Sequence, residues 1–229
     1  MEKQFYFTAQ PIVALNNYRE YDVQFYELLL REVTTNSFPG QKFFDLIANE
    51  AGNARFMLFF EQQIRLILQS EKIKTVSINL DIVQLDYAAT YTFLEKLSDL
   101  SAAIILEITE REYSAKTITI TDFILFAKSQ GYRIVLDDID VHSHLEAAEV
   151  DALGIIGVKI SHEVIYKLPM PSFQRRITRF NAKMAAIHVD VIMEGVAEEA
   201  QVMRLLDLGI KYQQGYYFTN REIAPSGTQ

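Results

Sequence analysis

Residues 102–110 read AAIILEITE, an apolar run with an acid inside it. Ile104, Ile105, Leu106 and Ile108 are what a central strand requires, covered on both faces as in a parallel sheet. Glu107 sits among them and Glu110 follows directly. A buried carboxylate without a partner is costly. The stretch therefore reads as a strand of a parallel α/β sheet that carries an acid near its end for a reason other than packing.

The rest of the chain repeats this pattern. FYFTAQPIVAL (5–15) and VQFYELLLR (23–31) read as strands, with Asn16-Asn17 as a turn between them. So short a connection makes them antiparallel. Phe38-Pro39-Gly40 breaks the chain before a helical pattern, FFDLIANEA (43–51). Residues 54–69 place Phe56, Phe59, Phe60, Ile64, Ile67 and Leu68 at helical spacing, a core or helix–helix seam. Then come strand 75–80, helix 83–98, strand 102–109, helix 119–130 stopped by Gly131, and strand 133–138. Strand 157–160, helix 172–187, strand 189–194, helix 198–208 and strand 212–218 complete the order. Strands alternate with helices without a linker, as in one domain over 1–229 built of β/α units. About eight strands indicate a TIM-like (β/α)8 barrel with one antiparallel strand near the N-terminus.

Against that frame the polar residues fall into order. Glu27 interrupts the second strand, and Asn79, Glu107, Asp137-Asp138 and Glu194 lie at or near the ends of later ones. Lys159 and Gln214 sit in two more. One acid at a strand end reads as a helix cap or a solvated residue; repetition on successive strands does not. Barrel strand ends converge on one face, where active sites lie. Carboxylates gathered there repel one another unless a cation neutralises them, and an oxygen-rich donor set suits Mg2+ or Mn2+. Two such ions are the usual device for attack at phosphate.

The net charge of −8 argues against broad DNA or RNA binding, which needs a basic face. Without cysteine there are no disulfides or thiolate metal sites. No segment has the roughly 18–20 apolar residues of a membrane helix, and no signal peptide opens the chain, so a cytoplasmic protein is expected.

The ordered motifs resemble the EAL domain family of cyclic-di-GMP phosphodiesterases. AQPIVAL (9–15), YELLLR (26–31), SINLDIVQL (77–85), LEITE (106–110), LDD (136–138), VKIS (158–161), MEGVAEEAQ (193–201) and YQQGYYF (212–218) are similar to the family's segments in sequence order. The resemblance implies that Glu27, Asn79, Glu107 and Asp137 hold one Mg2+ or Mn2+, with Asp137 and Asp138 serving a second. It implies that Glu194 and Lys159 prepare the attacking water, that Gln10, Leu29, Arg31 and Gln214 contact substrate, and that Glu110 supports the loop after the Asp-Asp strand. The implied reaction opens cyclic-di-GMP to linear pGpG.

Three departures from the family pattern stand beside these matches. The loop after Asp138 reads IDVHSHL (139–145), without the glycines of the family's loop. Ser161 and Ala197 stand where acids are expected. They lead to an alternative expectation, a catalytically inactive EAL domain that binds the nucleotide or regulates a protein partner. The family's dimer contact uses the altered loop, so the oligomeric state stays open, with a homodimer as one alternative. His142 and His144 read as ordinary polar loop residues.

Overall fold

The structure is a computed structural model that describes Met1 and residues 4–18, 20–70, 72–109, 120–140 and 145–218, with the backbone of 221–222. Its strands are β1 (Phe5–Leu15), β2 (Tyr21–Glu32), β3 (Val76–Leu80), β4 (Ile104–Thr109), β5 (Arg133–Ile139), β6 (Gly157–Ile160), β7 (Asp190–Met193), β8 (Tyr212–Gln214) and a short β9 (Arg221–Glu222). Strands β2 to β8 follow one another in parallel. β1 pairs antiparallel with both β2 and β8 and closes the ring. The expected barrel, with its antiparallel strand, is the observed fold.

The helices α1 (Gln41–Ile47), α2 (Glu50–Gln69), α3 (Ala88–Lys96), α4 (Ile120–Ser129), α5 (Ala147–Leu153), α6 (Pro171–Ala185) and α7 (Glu199–Asp207) join the strands. α2 buries Phe56, Phe59, Phe60, Ile64 and Ile67, the stripe that its spacing predicts. Three expectations need correction, and one helix is unexpected. The pattern over 43–51 spans two helices, because Asn49 caps α2 by accepting the Gly52 N–H at 3.0 Å. The helix expected over 83–98 is three pieces. Asp81 and Gln84 form a capping box on a 3-10 turn at 82–86, α3 follows, and a second 3-10 turn spans 98–103. The strand expected over 212–218 ends at Gln214. A Cβ on Gly215 would lie 2.0 Å from the Val196 carbonyl oxygen, so the chain turns there by backbone approach. α5 is a helix that apolar spacing did not reveal, since Val150 alone of its seven residues is buried.

Two hydrophobic clusters result. The larger lies between barrel and helices; the smaller, Ile12, Ile105, Val135 and Ile192, fills the barrel's lower interior with Phe25 and Tyr212 against it. Side chains two apart on a strand share a face. The next inward residues toward the rim are therefore Glu27, Glu107, Asp137, Glu194, Gln214 and, on the reversed β1, Gln10.

Among the described residues no helix is long and apolar enough to cross a membrane.

Candidate active site

The inward row of β2 to β8 is aimed by the same alternation that fills the barrel, and one irregularity sharpens it. β5 pairs Leu136 with Val158 and Ile139 with Ile160, three steps against two. The extra residue is a bulge at Asp137–Asp138, and Asp138 takes a left-handed φ of 59°. The bulge leaves Asp137 inward while returning Ile139 to the outer core.

Lys159 is the centre of the cluster. Its Nζ lies 2.7 Å from Glu194 Oε1, 2.8 Å from Glu107 Oε2, 3.0 Å from Glu27 Oε2 and 3.6 Å from Asp137 Oδ1. Lys159 and Glu107 are wholly buried. Glu27 accepts from Asn79 Nδ2 and from Gln214 Nε2, each at 2.5 Å, and Gln214 Nε2 also donates to Gln10 Oε1 at 2.9 Å. Thus Gln10, Glu27, Asn79, Glu107, Asp137, Lys159, Glu194 and Gln214 are brought together. Asp138 is exposed at the rim, its N–H donating to Asp137 Oδ1 at 2.9 Å. Leu29 and Arg31 are half-buried in an adjacent cavity. Glu110 and residues 141–144, with His142 and His144, lie outside the described residues.

The electrostatics follow from burial. Glu107 is pushed well above its ordinary value by burial and by the Glu27 charge, despite Lys159. Burial pushes Glu194 up to about 7 against the pull of Lys159. Burial raises Asp137 as well, with Lys159 offsetting part of the rise. For Glu27 burial also opposes ionisation. Lys159 and the amides of Gln214 and Asn79 outweigh it, and the carboxyl is held below its usual range. Burial alone would lower Lys159; the four acids hold it well above an ordinary lysine.

Four carboxylates around one ammonium leave three surplus negative charges when all are ionised. The buried Glu107 Oε1 and Gln214 Oε1 have no hydrogen-bond partner among the described residues. Among those residues, no three acids or histidines stand in the arrangement of a formed metal site; the acids instead converge on the Lys159 ammonium. The donor set is nevertheless all oxygen, over-charged and incompletely satisfied. That chemistry fits a hard divalent cation.

A parallel barrel closed by one antiparallel strand, with buried acids around a lysine at its rim, defines a TIM-type barrel with an acidic site. The chain belongs to the EAL domain family, whose model matches residues 1–221. The EAL enzyme Bd1971 in its cAMP-bound form superposes with a TM-score of 0.70 at 24% identity, over 96% of this chain and 64% of that one. The chain thus spans less than two thirds of that relative. A standalone EAL protein from Vibrio cholerae O395, bound to c-di-GMP, gives 0.75 at 22%, over 97% and 94%. BlrP1 from Klebsiella pneumoniae, in a manganese and cyclic-di-GMP complex, gives 0.75 at 19%, over 93% and 55%. At these identities the solved structures establish the shared fold. A comparison with curated proteins finds no match.

Motif reading located the polar row but not the aromatic cavity beside it. Phe38 read as part of a chain break and Phe44 as part of a helical pattern. Their exposure, 46% and 39%, is the missing signal, and only coordinates supply it.

Proposed function

We propose that the protein is a divalent-metal-dependent phosphodiesterase that hydrolyses one phosphodiester bond of cyclic-di-GMP to give linear pGpG. The observation that carries this reading is the convergence of Glu27, Asn79, Glu107 and Asp137 beneath an open rim, with Glu107 Oε1 unmatched, in an EAL barrel. These four residues would hold a Mg2+ or Mn2+ ion, with Asp138 beside Asp137 for a second. The bound cation supplies charge stabilisation at phosphate and a more acidic water.

The chain's own groups do the rest. Glu194, raised to about 7 by burial, is matched to accept a proton from an attacking water near neutral pH. The Lys159 ammonium, 2.7 Å away, orients that carboxylate and donates to oxygens around it. Gln214 and Gln10 fix Glu27 through their shared amide contacts. Arg31 offers a planar fork to a phosphate oxygen.

Purified protein with cyclic-di-GMP and Mn2+ forms pGpG on this reading, and Glu27→Gln abolishes it. Absence of pGpG with both Mg2+ and Mn2+ refutes the enzyme. A second reading is a non-catalytic nucleotide-binding regulator. It is favoured by Ser161 and Ala197, which stand where the family pattern has acids. Tight cyclic-di-GMP binding without product selects it.

A further inference from the structure

Helix α6 reads PSFQRRITRFNAKMA. It carries Arg175, Arg176, Arg179 and Lys183 and no acid, in a chain whose net charge is −8. Its apolar stripe, Phe173, Ile177, Phe180 and Met184, is buried against the barrel. At 3.6 residues per turn the four cations fall within an arc of roughly 100° on the other side. All four are exposed. Among the described residues no acid pairs with Arg175 or Arg179. Lys183 donates to the Leu145 carbonyl at 2.7 Å and lies 3.7 Å from Glu146. The 3-10 turn His162–Lys167 before α6 adds an exposed cation, Lys167, and one acid, Glu163. This end of the helix also exposes apolar surface: Tyr166 is 79% and Met170 55% exposed. It follows the end of β6, and α6 then runs back to the start of β7, so Tyr166 and Met170 lie toward the barrel rim and Lys183 toward the base.

Charge and apolar exposure together specify a partner. A row of cations is drawn to a surface of opposite sign, and anionic lipid headgroups present one. Tyrosine and other apolar side chains beside such a row gain by entering the boundary between headgroups and acyl chains. A single-stranded nucleic acid would stack on Tyr166 but leave Met170 in water. An acidic helix from another protein docks by an apolar face in a groove, and α6 has buried its own apolar face. We propose that α6 and the turn before it dock the protein on a bilayer carrying anionic lipid headgroups. Arg175, Arg176, Arg179, Lys183 and Lys167 face the headgroups, and Tyr166 and Met170 enter them. Because α6 lies along the flank of the barrel, this side-on placement leaves the rim, where Glu27 and Lys159 meet, facing water.

The test is co-sedimentation of the whole chain with vesicles. One set is phosphatidylcholine alone, and the other is equal parts phosphatidylcholine and phosphatidylglycerol. The mixed vesicles pellet the protein, the pure ones do not, and added NaCl releases it by screening. Arg175→Gln combined with Arg179→Gln weakens binding about thirty-fold, about five-fold for each charge. Arg175→Lys combined with Arg179→Lys, which keeps both charges, retains it. Tyr166→Ser combined with Met170→Ser weakens binding and leaves its salt dependence unchanged. All four positions are exposed, and unchanged melting temperatures confirm folding. If the glutamine pair folds poorly, the serine pair and the salt titration of the unaltered chain decide. No pelleting with the mixed vesicles, equal pelleting with phosphatidylcholine alone, or full binding by the glutamine pair overturns the proposal. So does a single-stranded RNA that binds more tightly than the vesicles at the same salt. A dimer that the glutamine pair dissociates in sedimentation velocity also overturns it, because a second copy then covers α6. None of these outcomes depends on pGpG formation, so this proposal and the enzyme reading fail separately.

Discussion

Two neighbouring layers of the barrel interior differ in almost everything except their strands. Below, Ile12, Ile105, Val135 and Ile192 form an apolar plug. One inward position up, the same strands present Gln10, Glu107, Asp137 and Glu194, gathered with Glu27 around Lys159. The lower layer gains by leaving water, at about 25 cal/mol per Å² of apolar surface. The upper layer holds ions that water would solvate better, and burying an ion pair returns little or nothing net. Strand geometry is indifferent to this contrast. The lower layer holds the fold together, and the upper one concentrates more negative charge than its single ammonium balances.

The sharpest way to break the comparison is Lys159→Met. It strands four acids without their counter-charge, and the expected loss is about 3–5 kcal/mol of stability at pH 8, the scale for breaking a buried pair. Denaturant melts read it, and lowering the pH toward 5, where the acids protonate, should recover most of the loss. If the loss is the same at both pH values, the cluster is not the electrostatic unit described here. The control lies one layer down. Ile192→Ala should cost about 2–5 kcal/mol through a cavity, with little dependence on pH or metal.

Glu194 sharpens the contrast through pH. Its carboxyl is raised from 4.5 to about 7 in the fold, so the folded state binds its proton more tightly than the unfolded chain. That contribution is fully present below about pH 4.5 and is lost as pH rises through 7. The metal-free protein should therefore lose up to about 3 kcal/mol across this window from this group, at about 1.4 kcal/mol per unit. Glu194→Gln flattens the slope in urea melts taken from pH 4.5 to 8. Added Mn2+ should reverse it, because a cation binds the ionised cluster and stabilises the folded state by mass action. The smallest effect is expected for Gln214→Ala, about 1.5–3 kcal/mol, from losing a hydrogen bond to the Glu27 carboxylate. Apart from melts, an upward shift in the Glu27 carboxyl titration by NMR reads it.

Much of the fold was legible in the chain because it depends on local order. Alternating strand and helix patterns, the Asn16-Asn17 turn and Gly131 after α4 each act within a few residues. α5 was missed because it buries only Val150, so its periodicity is nearly silent. The 82–86 turn shares the apolar spacing of a helix, and only the Asp81–Gln84 capping box seen in the structure sets it apart from α3. In the site, the strand-end polar residues could be picked out singly, but their meeting at one ammonium could not.

By itself the sequence determined which positions are polar and on which strands, since side-chain alternation and β/α order are properties of the chain. Only the closed barrel decided that Glu27 and Lys159, 132 positions apart, lie 3.0 Å from each other. It also decided that the bulge at Asp138 keeps Asp137 inward. Ring closure and burial are collective. No local pattern encodes the distance between strands that meet only when the last one docks against the first, and charges interact according to that distance and to the water excluded around them.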